Sequence, residues 1–455
     1  MRSVVHQFGM TVAQFPRGFE WGAATAAYQI EGATRQDGRG VSIWDVFCQQ
    51  PGRVENGDSG DVACDHYHRY KEDVGWMKRI GLQSYRFSIA WPRVLPFGAG
   101  EPNERGLAFY DRLVDALLEA GIRPCITLYH WDLPQALQDL GGWANRDTAE
   151  RFADYATLVY RRLGDRVMRF VTFNEPLIFT TLGHRLGLMA PGIANLRITA
   201  AATHHVLYAH GLAVNRFRND VPGGEVGITH ADTSYEPADD TEESRRAVER
   251  ARDFDTRLWH DPIYGRGYPH KVLAYYEQRA APLPIREGDL EVIAAPTDFL
   301  GVNLYTRVRV LPDDTGRGFK HADPTLQLTP MGYERAPHAL GDFVRFVSSE
   351  YGKPPIYITE NGVCDNTEPV QGAVNDIGRI ELLKGFLQGL AGAIADDAAD
   401  VRGYYLWSLL DNFEWSYGYS KRFGLVHVDY RTQRRTPKAS ADWYARVIAA
   451  NRIPE

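Results

Sequence analysis

Cysteine is scarce in this chain, with 4 in 455 residues, and Cys48, Cys64, Cys125 and Cys364 form neither a C-x-x-C pair nor a metal-ligand spacing. So sparse a set excludes a disulfide framework and reads as free thiols. No apolar run of about 18 residues occurs, and no basic stretch at the N-terminus leads into an apolar segment; the reading is a soluble, cytoplasmic protein with no membrane partner. An excess of charge of one sign is also missing. The 51 basic and 58 acidic residues leave a formal net charge of −7, spread along the chain, so no surface for nucleic acid is expected. Neither G-x-G-x-x-G after the first strand nor G-x-x-x-x-G-K-[ST] is present, which removes the usual nucleotide fingerprints. A neutral small molecule is the partner that fits, and the oligomeric state is left open.

What is there is ordinary globular material, 44% hydrophobic and 24% charged, with ample substance for a core. The 10 Trp and 24 Tyr mostly fill that core, although aromatic faces also pack well against the C–H faces of sugars. Short β-rich runs alternate with stretches of helical period. Eight such runs lie at 20–28, 83–90, 123–129, 168–173, 225–231, 298–304, 355–359 and 402–408. Tyr110, Leu113, Val114, Leu117 and Leu118 share one face of the helix expected after the second run, with Gly121 as its stop. Asp147 suits the N-cap of a helix with Phe152, Ala156, Val159 and Leu163 on its apolar face. Asp376 opens another with Ile380, Leu383, Phe386 and Leu387. Strands joined by helices require parallel crossovers, and eight units close naturally into a single (β/α)8 TIM barrel, an α/β fold spanning 1–455 as one catalytic domain. An open doubly wound sheet is the alternative. Segments 34–61 and 307–337, rich in Gly, Pro and Asp, read as loops on the barrel rim.

In such a barrel the site is assembled at the C-terminal strand ends. Reading those positions in order gives Gln29, Trp91, His130 with Trp131, Asn174 with Glu175, Asn303 with Tyr305, Glu360, and then Trp407, Glu414 and Trp415. Carboxylates, amides, an imidazole and indoles around one mouth are what a polyhydroxylated ring needs, namely paired hydrogen bonds and an apolar platform. Glu175 ends Thr-Phe-Asn-Glu-Pro and Glu360 stands in Ile-Thr-Glu-Asn-Gly, each an apolar β run stopping abruptly at an acid. An arbitrary glutamate more often caps a helix or pairs with arginine; two at the mouth of one barrel match the carboxyl pair of glycoside hydrolysis. For Trp91 the core reading is favoured, and for Arg86 a place in the site rather than a plain buried ion pair. His66, His68, His204, His205 and His210 lack a ligand set and read as packing or surface residues.

These residues resemble those of the β-glucosidase family, family one of the glycoside hydrolases, over essentially the whole chain. The resemblance rests on 15–32, which opens Phe-Pro-Arg-Gly-Phe, on Tyr85-Arg86-Phe87-Ser88-Ile89-Ala90-Trp91-Pro92-Arg93, on the two glutamate motifs, and on Asp411-Asn412-Phe413-Glu414-Trp415. It implies a retaining β-glycosidase acting on terminal β-D-glucosyl residues, with β-D-fucosides and β-D-galactosides as secondary substrates. It further implies Glu360 as nucleophile, Glu175 as acid/base, Arg86 and Tyr305 as partners of the nucleophile, and Asn174 as donor to the 2-hydroxyl. Gln29, His130, Trp131, Asn303, Glu414 and Trp415 would bind the sugar, with Trp407 as its stacking floor. Two carboxyls suffice for this chemistry, so no cofactor or metal is expected. A phosphorylated sugar is disfavoured: relatives acting on 6-phospho-sugars carry serine where Glu414 stands, and Phe423 lacks the hydroxyl of a phosphate clamp. The chain departs from the family's pattern on the leaving-group side. Met189 replaces the usual His before Ala190-Pro191-Gly192, Tyr333 replaces a frequent Trp after Met331-Gly332, and His230-Ala231 stands for Leu-Asn. A sugar-binding scaffold that had lost catalysis is the competing function, and both glutamates argue against it. Transglycosylation competes with hydrolysis through the same intermediate.

Overall fold

The computed structural model describes residues 14–314 and 316–454; 1–13, 315 and 455 of the expected domain lie outside them. The strands are β1 (Glu20–Ala24), β2 (Ser84–Ser88), β3 (Arg123–Tyr129), β4 (Arg169–Asn174), β5 (Glu225–Pro237), β6 (Phe299–Pro312), β7 (Phe319–His321), β8 (Pro355–Asn361) and β9 (Asp400–Trp407), followed by the hairpin β10 (Val426–Asp429) and β11 (Arg434–Pro437). Eight of them pair in parallel in the order β1-β2-β3-β4-β5-β6-β8-β9, and β9 returns to β1 with Trp407 opposite Ala24. The sheet is a closed (β/α)8 barrel.

Helices form where the 3.6-residue period is apolar on one side. Glu104–Glu119 buries Tyr110, Leu113, Val114 and Leu117; Leu118, expected on the same face, is 40% exposed, because it lies beyond the stripe's edge. Asp147–Leu163 buries Phe152, Ala156, Val159 and Leu163. Asp147 is the first helical residue rather than its cap, and its N–H is taken by the Asn145 side chain at 3.1 Å. In Ile377–Ala395, Leu383, Phe386 and Leu387 are buried and Ile380 is partly so. Asp376 does not cap this helix with its side chain; its carboxylate receives Ser440 instead.

Alternation along the strands gives two cores. The large one lies between barrel and helices. A smaller one, including Ala24, Cys125, Val171, Phe299, Tyr357 and Tyr405, comes from inward positions of six strands and fills the barrel. Below it, the Glu20 carboxylate receives Arg123 at 2.7 and 2.9 Å, Arg169 at 2.5 Å and the Tyr405 hydroxyl. Burial alone would raise this carboxyl, but Arg169, Tyr405 and Arg123 hold it below its ordinary pKa. The barrel floor is thus closed by charge, leaving the other end open for a site.

Two expected loops are partly regular. Segment 34–61 contains the helix Ile43–Cys48, capped by Ser42 with a reciprocal bond from Asp45. In 307–337, β6 runs on to Pro312 beside the extended β5 and pairs antiparallel with β7. Arg307-Val308-Arg309-Val310 has the period of a strand, and it overrides the Gly and Asp that follow. Likewise Tyr28, placed in the first strand from sequence, belongs to the short helix Ala27–Ile30.

Candidate active site

Arg86 leaves the middle of β2 and crosses the barrel interior. Its Nη1 donates to Glu360 Oε1 at 2.6 Å and to the Thr359 carbonyl at 3.2 Å, its Nη2 to Asn174 Oδ1 at 2.7 Å, and its Nε to Thr127 Oγ1 at 3.0 Å. Tyr305 donates to the other oxygen, Glu360 Oε2, at 2.8 Å. Asn303 donates to Asn174 Oδ1 at 3.0 Å and to Glu175 Oε1 at 2.9 Å, and the Thr359 hydroxyl donates to Asn303 Oδ1 at 2.8 Å. Two carboxyls, two amides and one guanidinium therefore form a single network, with β4, β6 and β8 each bringing a residue to the same level.

The backbone reinforces this placement. Glu175, directly after β4, is left-handed with φ 52° and begins the helix Pro176–Thr180 with proline at its first position. A left-handed glutamate is uncommon; the turn fixes its carboxyl at the strand end. Just past Glu360, Gly362 lies so near β9 that a Cβ there would come 2.0 Å from the Trp407 carbonyl, so only glycine lets the two strand ends meet.

Electrostatics separate the two acids. Burial raises the pKa of both. On Glu175 the negative charge of Glu360 adds to burial, opposed by the neutral Asn303 and the remoter Arg86. On Glu360 the Arg86 guanidinium and the Tyr305 phenol counter burial directly. A single proton on the pair therefore belongs to Glu175, and Glu360 carries the charge.

Beside this pair opens a cavity of about 600 Å³. His130, Trp131, Glu175, Asn303, Tyr305, Glu360, Trp407, Glu414 and Trp415 all line it. Gln29, Arg86 and Asn174, expected at the same mouth, sit one layer behind and are fully enclosed. Gln29 donates its amide to Asn412 Oδ1 at 3.1 Å and the Phe413 carbonyl at 2.8 Å, leaving Oε1 without a partner among the described residues. Asn174 spends one N–H on His130 Nε2 at 3.0 Å, so His130 Nδ1 carries the ring proton; that nitrogen too has no partner. Burial pushes the His130 pKa far down and keeps it neutral. Glu414 Oε2 is the third such atom, on a carboxyl lifted by burial and by Glu360 to about 8. Idle hydrogen-bonding atoms on the lining residues His130 and Glu414, with Gln29 Oε1 just behind, suit a polyhydroxylated guest. The indole N–H of Trp131 is taken by the Asn174 carbonyl at 2.9 Å, so this residue contributes its ring, which faces Trp415 at 4.6 Å.

Trp91 is a core residue, stacked on Tyr155 at 4.8 Å. The expected packing histidines do pack: His66 on Asp73, His68 on Asp65, His204 on Asp289 and Tyr268, His205 on the Trp143 carbonyl and His210 on Thr172. Among the described residues one group, Glu236 with His338 and Asp342, has metal-ligand spacing; it lies outside the cavity lining, and its Glu236 is already engaged by Arg307 at 2.5 Å. Lys421 donates to the Pro330 carbonyl at 2.8 Å. Of the leaving-group departures, Met189, Ala231 and Tyr333 line the cavity, whereas His230 faces outward against His260 with ring centres 4.2 Å apart. Sequence reasoning missed Thr127 and Thr359, whose hydroxyls set Arg86 and Asn303, and the wall formed by Ile178 and Leu182. The inward period of β3 and β8 was a signal for the threonines; the wall had none.

The family model described as Glycosyl hydrolase family 1 matches residues 11–453. "Beta-glucosidase A" of Acetivibrio thermocellus is 46% identical over 447 residues, 97% of this chain and 100% of that protein. "Beta-glucosidase A" of Thermotoga maritima is 44% identical over 98% of this chain and 100% of its own length. Among solved structures, "Family 1 b-glucosidase from Thermotoga maritima" superposes with a TM-score of 0.95 at 44% identity, over 98% of this chain and 100% of that one. A structure of the Thermotoga maritima family 1 glycoside hydrolase complexed with a cyclophellitol analogue transition state mimic matches with a TM-score of 0.94 at 44% identity, covering 97% of this chain and all of that one.

Proposed function

As the chain belongs to glycosyl hydrolase family 1, we propose that it is a β-glucosidase cleaving terminal β-D-glucosyl bonds with retention, Glu360 acting as nucleophile and Glu175 as general acid/base. The observation that carries the roles is the unequal dressing of the two carboxyls: both oxygens of Glu360 receive donors, one of them cationic, while Glu175 has a neutral amide and a negative neighbour. In the first step a Glu360 oxygen attacks the anomeric carbon, the bond to the leaving oxygen breaks, and the Glu175 proton passes to that oxygen. In the second, Glu175 takes a proton from water as the water displaces Glu360. Two inversions restore the β configuration. An alcohol arriving instead of water gives transglycosylation through the same groups.

His130 and Glu414 supply hydrogen bonds to the glucosyl hydroxyls, Gln29 and Asn174 hold these two residues from behind through Asn412, Phe413 and His130 Nε2, and Trp407 supplies the floor. Glu414 favours an unphosphorylated sugar, since it offers a phosphate dianion no positive charge, and its ionisation above about pH 8 would add like-charge repulsion in a partly desolvated site. β-D-Fucosides and β-D-galactosides serve as secondary substrates. No helix among the described residues is long and apolar enough to cross a membrane; the four free cysteines support a cytoplasmic setting. The test is proton NMR of the first-formed sugar from a β-glucoside. The β-anomer is expected to appear first and then mutarotate, and initial release of the α-anomer overturns the mechanism.

A further inference from the structure

The residue just before the nucleophile in sequence bonds towards the other glutamate. We infer that Thr359 is a positioning residue for Glu175, a role that rests on the β-glucosidase reading above: its hydroxyl fixes the Asn303 amide, and that amide holds the acid/base.

Successive residues of a strand face opposite ways, yet Thr359 and Glu360 both turn into the barrel. The Thr359 hydroxyl meets Asn303 of β6 and Thr229 of β5, and the Glu360 carboxyl meets Arg86 of β2 and Tyr305 of β6. The pairing of β8 slips at this point, against β6 between Val302 and Asn303 and against β9 between Ile358 and Asn361. A bulge of this kind re-aims a side chain. Both threonines are fully enclosed and neither lines the cavity, so they act on the site without touching a sugar.

The bonds run in one direction. Thr229 Oγ1 donates to Thr359 Oγ1 at 3.1 Å, and the Thr359 proton goes on to Asn303 Oδ1 at 2.8 Å. With its oxygen held there, the Asn303 amide presents its two N–H bonds on the other side, to Asn174 Oδ1 at 3.0 Å and Glu175 Oε1 at 2.9 Å. The Thr229 carbonyl also accepts the Glu175 N–H at 2.9 Å, so one residue of β5 reaches the acid/base by two routes. Gly301, opposite Thr229 in the sheet, leaves room for the two hydroxyls to meet. A Cβ there would come 2.2 Å from Thr229 Oγ1 and 3.0 Å from Thr359 Oγ1.

Glu175 feels Glu360 of β8, Arg86 of β2, Glu414 after β9, Asp232 of β5, Tyr305 of β6 and Tyr333; the Thr359 hydroxyl bonds to none of them. The Thr359 carbonyl accepts Arg86 at 3.2 Å, a backbone contact that survives a change of side chain. Asn303 is the strongest influence lowering the Glu175 pKa, whereas Arg86 and Tyr305 come before it around Glu360. Loss of the Thr359 hydroxyl leaves Asn303 Oδ1 without its donor. The amide then gives a weaker N–H to Glu175 or turns its oxygen to the Glu175 proton, and either change keeps that proton in place.

The test is the pH dependence of kcat/KM on methyl β-D-glucoside, whose poor leaving group needs the acid. Thr359→Val, similar in shape but lacking the hydroxyl, is expected to move the alkaline limb about half to one pH unit higher, the effect of one hydrogen bond, and the acid limb by much less. Thr359→Ser is expected to keep the unmutated profile, and Thr229→Val to move the alkaline limb the same way by a smaller amount. A Thr359 that merely packed β8 would disturb its neighbour Glu360 first. An acid limb that moves as far as the alkaline one, or an alkaline limb unmoved in Thr359→Val, therefore overturns the inference; if that variant does not fold, an unmoved limb in Thr229→Val does so. Carbon-13 titration of labelled Glu175 reads the same upward shift without turnover. Its absence there sinks this inference alone, while no hydrolysis of any β-glucoside by the unmutated protein sinks the β-glucosidase reading itself.

Discussion

Glu175 and Glu360 are separable by experiment because each does something the other does not. Glu360→Gly removes the nucleophile and opens space for a small anion, so turnover is expected to fall on the order of 10⁴-fold or more and to recover with azide as an α-glucosyl azide. Glu175→Ala still forms the glucosyl-enzyme from an activated substrate and is expected to yield the β-glucosyl azide. The same anomer from both variants contradicts the roles. The pH profile follows from the same pair. Catalysis needs Glu360 ionised and Glu175 protonated, so kcat/KM declines as pH falls through the Glu360 pKa and declines again as pH rises through that of Glu175, which burial and Glu360 lift above the ordinary carboxyl range. Once Glu360 is esterified its charge is gone, and one cause of that lift goes with it. Carbon-13 titration of labelled Glu175 in free and covalently trapped enzyme is expected to show a clear fall in its pKa on trapping; an unchanged value contradicts the coupling. At this scale the sequence was informative, since each acid closes an apolar β run. What it did not reveal is that Gln29 and Asn174 are held behind the cavity wall, because that depends on which of their atoms neighbouring loops occupy.

The loop after β9 shows how an element delivers residues to the site. Asn412, Phe413, Glu414 and Trp415 hang from Asp411, whose Oδ1 accepts Lys438 and the Gly424 N–H, both at 2.8 Å, and whose Oδ2 accepts Arg422 at 2.9 Å. Asp411 and Lys438 are both enclosed. Burial favours the neutral acid, but the Lys438 and Arg422 charges outweigh it and hold the Asp411 pKa below its ordinary value. A depressed folded-state pKa contributes stability that is present above the unfolded carboxyl's pKa and is lost as pH falls through the folded one. Asp411→Asn leaves Lys438 buried with only the weaker attraction of Asp376 and is expected to cost about 3 to 5 kcal/mol near neutral pH in urea unfolding. The difference from the unmutated protein should shrink in acid, below the pKa of a free aspartate; a gap that stays constant with pH contradicts the ion-pair account. The barrel strands were legible because apolar runs of five to seven residues alternate with long helical stripes. The outward arms of β5 and β6 were not, since the composition after them looks like a loop and only the Arg-Val alternation betrays the strand.

On the scale of the whole molecule, closure of the barrel joins the two ends of the described chain. β1 completes the sheet only by pairing with β9, and the helix Ala439–Ala450 locks that seam. Tyr444 donates to the Gly22 carbonyl at 2.7 Å, Trp21 donates its indole N–H to Asn451 Oδ1 at 2.9 Å, and the Phe15 N–H reaches the Asn451 carbonyl at 3.1 Å. The charged floor adds a second tie, since Glu20 of β1 binds Arg123 of β3, Arg169 of β4 and Tyr405 of β9 at once. No subset of strands can bury its inward residues alone, because the interior core draws from all around the ring. We therefore propose that the chain unfolds as one domain, and that the site, drawn from β2, β4, β6, β8 and the loop after β9, disappears with the barrel rather than before it. Tryptophan fluorescence, far-ultraviolet circular dichroism and residual β-glucosidase activity are expected to fall together along one urea transition. Asn451→Ala, which cuts the seam far from the cavity, is expected to move all three curves to lower urea by the same amount. A dichroism curve in two separated steps, or an Asn451→Ala shift confined to one probe, contradicts a single cooperative unit.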